Sequence, residues 1–222
     1  MNSRELNKTV RRVSLVDSIY ETLLEAIVSG QLPHGSELNS VGLAKQLDVS
    51  RTPLREALHL LERDGLVRQA GNHKARVAEF SADDIREIYE VRLQLEAAAA
   101  ERAATRMSPT ALESLQFEAE KLRVSRKDVN WRTRALAFDQ RFHSAIAAGS
   151  GNGRLEADIQ RYRLLVRSFC RIAGQQATLE QALDEHIAIL LALSTGRPAA
   201  ARKSMAAHIQ SRLDTLLTQL PA

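Results

Sequence analysis

At 222 residues, 44% hydrophobic and 26% charged, the chain is long enough to bury two modest cores and too long for a minimal module. Its net charge of +4 decides little about partners, because residues 1–80 hold 11 Lys+Arg against 10 Asp+Glu and the remainder 20 against 17. No apolar run approaches the roughly 18 residues of a membrane span, and a single cysteine, Cys170, excludes an internal disulfide; with no apolar signal stretch in residues 1–14, a cytoplasmic protein without a membrane partner is expected.

Residues 1–14 carry Arg4, Lys8, Arg11 and Arg12 against Glu5 alone, the composition either of a flexible basic arm near phosphates or of a plain solvated terminus. Over residues 15–29 apolar side chains recur at helical spacing (Val16, Ile19, Leu23, Leu24, Ile27), and Gly30 stands where a helix ends. Residues 32–35 form a turn. Residues 41–47 and 52–63 predict two short helices separated by Asp48-Val49-Ser50, with Ser50 able to cap the second. The period then changes. Residues 65–69 and 75–78 are short extended runs flanking the polar turn 70–74, and so predict a hairpin. Three helices, the last two tightly linked, followed by a hairpin are the outline of a winged helix-turn-helix over residues 15–80.

Beyond Phe80 every periodic segment is helical. The spacing predicts helices at about residues 83–107, capped by Ser81, and 109–124, behind Ser108. Four more follow at about 130–148, 155–173, 179–194 and 198–220, with breaks at the glycines of 149–153, at Gly174 and at Gly196. The expected fold is mainly α: an N-terminal winged helix-turn-helix, then an all-α antiparallel bundle of six helices over residues 81–222.

A recognition helix must present long donors to base edges and phosphates. Arg51 and Arg55 are four apart on one face of the predicted helix, while Leu54, Ala57, Leu58 and Leu61 form the opposite face, suited to packing on Leu43, Ala44 and Leu47. Such arginines pair bidentately with guanine, and the hydroxyls of Ser50 and Thr52 at the helix start suit phosphate oxygens. The stretch LNSVGLAKQLDVSRTPLREALHLLERDGLVRQAGNHKARV, residues 38–77, resembles the winged helix-turn-helix of the GntR family of regulators, and SRTPLREAL at 50–58 is close to its full signature. The resemblance implies that Arg51, Thr52 and Arg55 contact operator DNA and that the wing tip, here Asn72 and His73, enters the minor groove. Ser40 and Gly42 stand where the family carries acidic residues, Asp48 where it has a turn glycine, and Lys74 where it has a wing glycine. Asp tolerates the left-handed backbone of a tight turn, and Lys74 adds a charge that seeks phosphate.

In the C-terminal half, four metal-capable residues occupy positions where the helix pattern calls for apolar ones. Asp139 and His143 fall on the stripe Leu136, Phe142, Ile146; His186 on Leu179, Leu183, Leu190; His208 between Met205 and Ile209. One inward histidine is ordinarily a satisfied core residue, but imidazole or carboxylate from three helices into one interior suits a divalent cation. Arg92 and Glu96 share the stripe Ile85, Tyr89, Ala99, which leaves two readings of Arg92: an internal ion pair, or a fork for an effector carboxylate. Asn152 follows a glycine break and either caps a helix or borders a pocket. His34, His59 and Cys170 read as surface or packing residues.

Residues 81–209 resemble the FCD ligand-binding domain of the FadR branch, whose metal-binding members carry Asp-x-x-x-His and two later histidines. Asp139, His143, His186 and His208 fill all four positions. The resemblance implies zinc or nickel there, a small carboxylate or sugar acid as effector, Asn152 beside the effector, and a homodimeric ligand-responsive regulator, most simply a repressor, on double-stranded operator DNA. Two other readings stay open: a metallohydrolase, which the residues beside the ligands support poorly, and a purely structural metal.

Overall fold

The computed structural model describes residues 3–70, 74–169 and 176–219, with side chains described over 15–69, 75–168 and 176–219. Contacts divide it into two compact units, the first of residues up to 79 with 164–169, the second of 80–163 with the remainder from 170.

In the first unit, α1 (Ser3–Ser29) buries Val16, Ile19, Leu23, Leu24 and Ile27 and lies against α3. Its helix continues through residues 3–14, which the sequence reading set apart as an arm. Neither Gly nor Pro occurs before Gly30, so a helix anchored by the buried 16–27 face extends N-terminally without a new nucleation step. α2 (Ser40–Gln46) is capped by Asn39, whose side-chain oxygen accepts from the backbone N–H of Val41 and Gly42, each at 3.1 Å. Between α2 and α3 (Arg51–Arg63), Asp48 adopts φ +52°, the left-handed turn for which the family carries glycine. Ser50 occupies the N-cap position of α3, but its hydroxyl makes no capping bond.

Leu54, Ala57, Leu58 and Leu61 are buried as the spacing required. Leu61 is 0% exposed, so Leu61→Ala is expected to cost about 2–5 kcal/mol, read as a lower urea midpoint at unchanged slope. The sheet has three antiparallel strands rather than two, in the order β1 (Glu37–Leu38), β3 (Lys74–Val77), β2 (Val67–Ala70). Two residues are too few for an alternation to register, which is why β1 was missed. Its Leu38 sits opposite Ala75, while Arg68 of β2 sits opposite Arg76. Asn72 and His73 lie outside the described residues, as does Cys170, and of Lys74 only the backbone is described, paired with Ala70. His34 lies between two carbonyl oxygens, Ala78 O at 2.7 Å and Ser168 O at 2.8 Å, while His59 is exposed beside Glu62.

The second unit is wholly helical among its described residues. α4 (Ala82–Arg106) opens with a capping box in which Ser81 Oγ accepts from Asp84 N–H and the Asp84 carboxylate accepts from Ser81 N–H. Its small inner residues Ala97, Ala100 and Ala103 let it lie close along α9 (Pro198–Leu217), where Ala201 is also fully buried. α5 (Pro109–Val124) packs on α6 (Trp131–Gly149) and α8 (Gln176–Ser194), and Trp131 Nε1 donates to Leu122 O at 2.8 Å. α7 (Gly153–Phe169) contributes its residues up to 163, and its last residues belong to the first unit. The buried stripe of α6 runs Trp131, Ala135, Phe138, Phe142, Ile146; Leu136, which the sequence reading placed on that stripe, is exposed at 43%. No helix among the described residues is long and apolar enough to cross a membrane.

Candidate metal centre and nucleic-acid interface

Ser50, Arg51, Thr52 and Arg55 are all exposed at the start of α3, on the side away from Leu54, Ala57 and Leu58. This follows from the sequence: the core residues occupy one face of a 3.6-residue helix, so the arginines four apart have only the other. The result is a row of hydroxyl and guanidinium donors on the first turns of a rigid helix, the arrangement that enters a major groove.

In the second unit, Asp139 and His143 on α6, His186 on α8 and His208 on α9 converge. One ligand atom from each lies within 4.8 Å of every other. The three histidines are buried and Asp139 is partly exposed, at 33% of its side chain. His186 Nε2 lies 3.2 Å from His208 Nε2, and Asp139 Oδ1 lies 3.7 Å from both His143 Nε2 and His186 Nε2. Donors bound at about 2.0–2.2 Å to one cation, at octahedral or tetrahedral angles, stand roughly 2.8–3.6 Å apart. The residues therefore fit a cation once side-chain rotations draw together the wider-spaced donors, which stand up to 4.8 Å apart. Three imidazole nitrogens and one carboxylate suit zinc or nickel.

Electrostatics favour the same use. Burial, reinforced by Arg163, pushes His143 down to about 4, and burial with neighbouring His208 holds His186 well below its ordinary value. Both imidazoles are neutral near pH 7. Burial acts to raise Asp139, but the Arg163 guanidinium beside it more than offsets this and holds the carboxyl below the usual carboxylate range. The acidic ligand stays ionised.

Three further residues support the cluster and were not picked out for this role in the sequence. Arg163 of α7 donates to Asp139 Oδ2 at 2.7 Å; like Arg92, it interrupts a buried helix stripe, four residues after Ile159, which is the signal that could have found it. Glu96 accepts from His143 Nδ1, across 47 residues of sequence with no local trace. Glu185 accepts from His208 Nδ1 at 2.7 Å. His186 is stacked on Phe142 with ring centroids 4.1 Å apart.

Arg92 is 3% exposed, donates to Glu96 Oε1 from Nε at 2.9 Å and from Nη2 at 2.8 Å, and lies over the Tyr89 ring at 4.6 Å. Of its two readings the geometry displays the internal ion pair. Asn152 is exposed and accepts from the N–H of Arg154 at 3.2 Å and Leu155 at 3.3 Å, so it caps α7.

Comparison with known proteins adds to this geometry. Residues 15–77 match the bacterial regulatory proteins of the gntR family, and residues 87–211 match the FCD domain. The helix-turn-helix regulator YdhC of Bacillus subtilis is 29% identical over 85% of this chain and 85% of its own. The Nta operon transcriptional regulator of Aminobacter aminovorans is 30% identical over 86% of this chain and 89% of its own. Among solved structures, E. coli McbR/YncC superposes with a TM-score of 0.77 at 25% identity, over 92% of this chain and 98% of that one.

Proposed function

Because the chain belongs to the GntR family of bacterial transcriptional regulators, with an FCD domain following its winged helix-turn-helix, we propose that it is a metal-dependent sensor of a small carboxylate. α3 reads operator DNA through Arg51, Arg55, Ser50 and Thr52, with the wing residues Asn72, His73 and Lys74 at the adjacent groove. Two copies bind a near-palindromic operator, as paired half-sites require. Asp139, His143, His186 and His208 hold a divalent cation, zinc or nickel, and the effector is a small carboxylate or sugar acid.

The observation that carries this reading is the convergent donor set, three buried imidazoles, of which His143 and His186 are held neutral, and one ionised carboxylate within 4.8 Å. When bound, the cation supplies a Lewis-acidic point charge for an anionic ligand. Asp139 is the partly exposed ligand of the set, and the buried Arg163 guanidinium paired with it adds a second positive charge beside the cation for an anionic ligand. The effector and DNA are then coupled reciprocally: a ligand that changes operator affinity α-fold has its own affinity changed α-fold by operator.

The test is an operator titration with the zinc-loaded and nickel-loaded protein against a panel of hydroxycarboxylates, dicarboxylates and sugar acids, using a duplex that the protein itself selects from a random pool. At least one carboxylate is expected to shift operator affinity by about 5- to 150-fold, toward release if the protein is a repressor. The effect should vanish on chelation. A response that survives chelation, or one given equally by uncharged sugars, overturns the reading.

A further inference from the structure

Two of the four ligand residues are held by carboxylates through the ring nitrogen that faces away from the cluster. His143 Nδ1 faces Glu96 Oε2, and His208 Nδ1 lies 2.7 Å from Glu185 Oε2. An ionised carboxylate only accepts, so each imidazole must donate from Nδ1 and present a bare Nε2 lone pair to the cluster. Both carboxylates are themselves fixed. Glu96 takes Nε and Nη2 of Arg92 on its other oxygen, and Glu185 Oε1 accepts from Ser211 Oγ at 2.8 Å and Gln181 Nε2 at 3.0 Å.

His186 differs. Its Nε2 lies 3.2 Å from the Nε2 of His208, and since His208 carries its proton on Nδ1, the hydrogen between those two nitrogens belongs to His186. Two histidines are thus set in the tautomer a cation requires, while the third carries its proton on the nitrogen that points into the cluster.

We propose that Glu96 and Glu185 are positioning residues of the metal centre, fixing the Nδ1–H tautomers of His143 and His208, and that Arg92 acts on the centre by holding Glu96 rather than by gripping an effector. Loading a cation then requires one tautomer change, the movement of the His186 proton from Nε2 to Nδ1. This rests on the metal reading given above. It goes further by giving roles to a buried Arg–Glu pair that lies behind the ligands and to a carboxylate next to His186. Outer carboxylates of this kind orient a ligand ring and raise its basicity, and their loss ordinarily weakens metal affinity by about 10- to 100-fold.

The test has two parts on the full chain. Long-range proton–nitrogen NMR of the chelator-stripped wild type is expected to show His143 and His208 protonated at Nδ1 and His186 at Nε2; when zinc is added all three Nε2 resonances shift, and His186 alone changes its site of protonation. Zinc competition with a chromophoric chelator is expected to give dissociation constants about 10- to 100-fold weaker for Glu185→Ala, with Glu185→Gln, whose amide oxygen still accepts from Nδ1, recovering most of the loss. Glu185 is the primary target because it is partly exposed, whereas changing Glu96 strands a buried arginine; Glu96→Gln is measured beside it.

If the stripped protein shows His143 or His208 protonated at Nε2, or if Glu185→Ala and Glu96→Gln both bind zinc within twofold of the wild type, the positioning role is wrong while the metal site stands. If the wild type takes up no metal, the metal reading itself fails and this assignment falls with it. For Arg92, the discriminating variant is Arg92→Lys: weaker zinc binding supports the proposal, whereas unchanged zinc affinity with weakened carboxylate binding returns Arg92 to the effector.

Discussion

Replacing Arg51 and Arg55 together by alanine is expected to reduce operator affinity by roughly 30- to 10⁴-fold per half-site, from two bidentate contacts worth about 1–3 kcal/mol each. Binding to unrelated duplex should fall much less, because sequence-independent binding is carried by phosphate contacts spread over the surface. The fold should be untouched: both side chains are exposed, and surface changes away from caps and cores stay within about 0.5 kcal/mol. Fluorescence anisotropy at one fixed salt concentration, with the selected operator and an unrelated duplex, measures the ratio directly. Equal losses on both duplexes would assign the arginines to phosphate rather than to base edges. An unchanged operator affinity would take DNA reading away from α3 altogether.

The outline of this helix was legible because its information is local. Two turns of apolar residues, Leu54, Ala57, Leu58 and Leu61, determine which face is buried, and the arginines are left with the other. Asp48 was legible through the resemblance instead: it stands where the family has a turn glycine, Asp tolerates the left-handed backbone, and φ there is +52°. β1 was not legible. Two residues cannot display a period, and Glu37 and Leu38 become a strand only because β3 offers them a partner at Arg76 and Ala75. The helical backbone of residues 3–14 was not legible either, since charge composition says nothing about backbone when a stable helix adjoins the segment.

The candidate metal centre divides along the same line. Asp139, His143, His186 and His208 could be listed from the sequence because each puts a polar group in an apolar helical stripe, and the structure brings all four together. Their supports could not. The pairing of Glu96 with His143 spans α4 and α6, and that of Glu185 with His208 spans α8 and α9, so each depends on helix packing that no single periodic pattern encodes. Arg92 illustrates the cost of reading one helix alone. Its inward direction and the ion pair with Glu96 could both be read from α4, but not that the far side of that pair touches a ligand histidine on another helix.

The second large effect concerns that centre. His186→Ala is expected to weaken zinc binding by about two to three orders of magnitude, taking roughly 10–16 kcal/mol for a four-ligand site and a quarter of it for one ligand. Affinity alone does not settle the cause, because His186 also stacks on Phe142 and is 1% exposed, so its removal leaves a cavity whether or not a cation is bound. The two contributions separate through linkage. A cation that binds only the folded chain raises stability by about 4 kcal/mol at a thousandfold excess over its dissociation constant, so chelation should lower the wild-type unfolding midpoint markedly. The variant should start lower, from the cavity, and respond to chelator far less, from the lost ligand. A variant that starts lower yet responds to chelator as the wild type does would make His186 a packing residue beside a site formed by others. A wild type indifferent to chelator would mean that three buried imidazoles and a carboxylate are satisfied by one another, through contacts such as the 3.2 Å pair between His186 and His208, and need no cation.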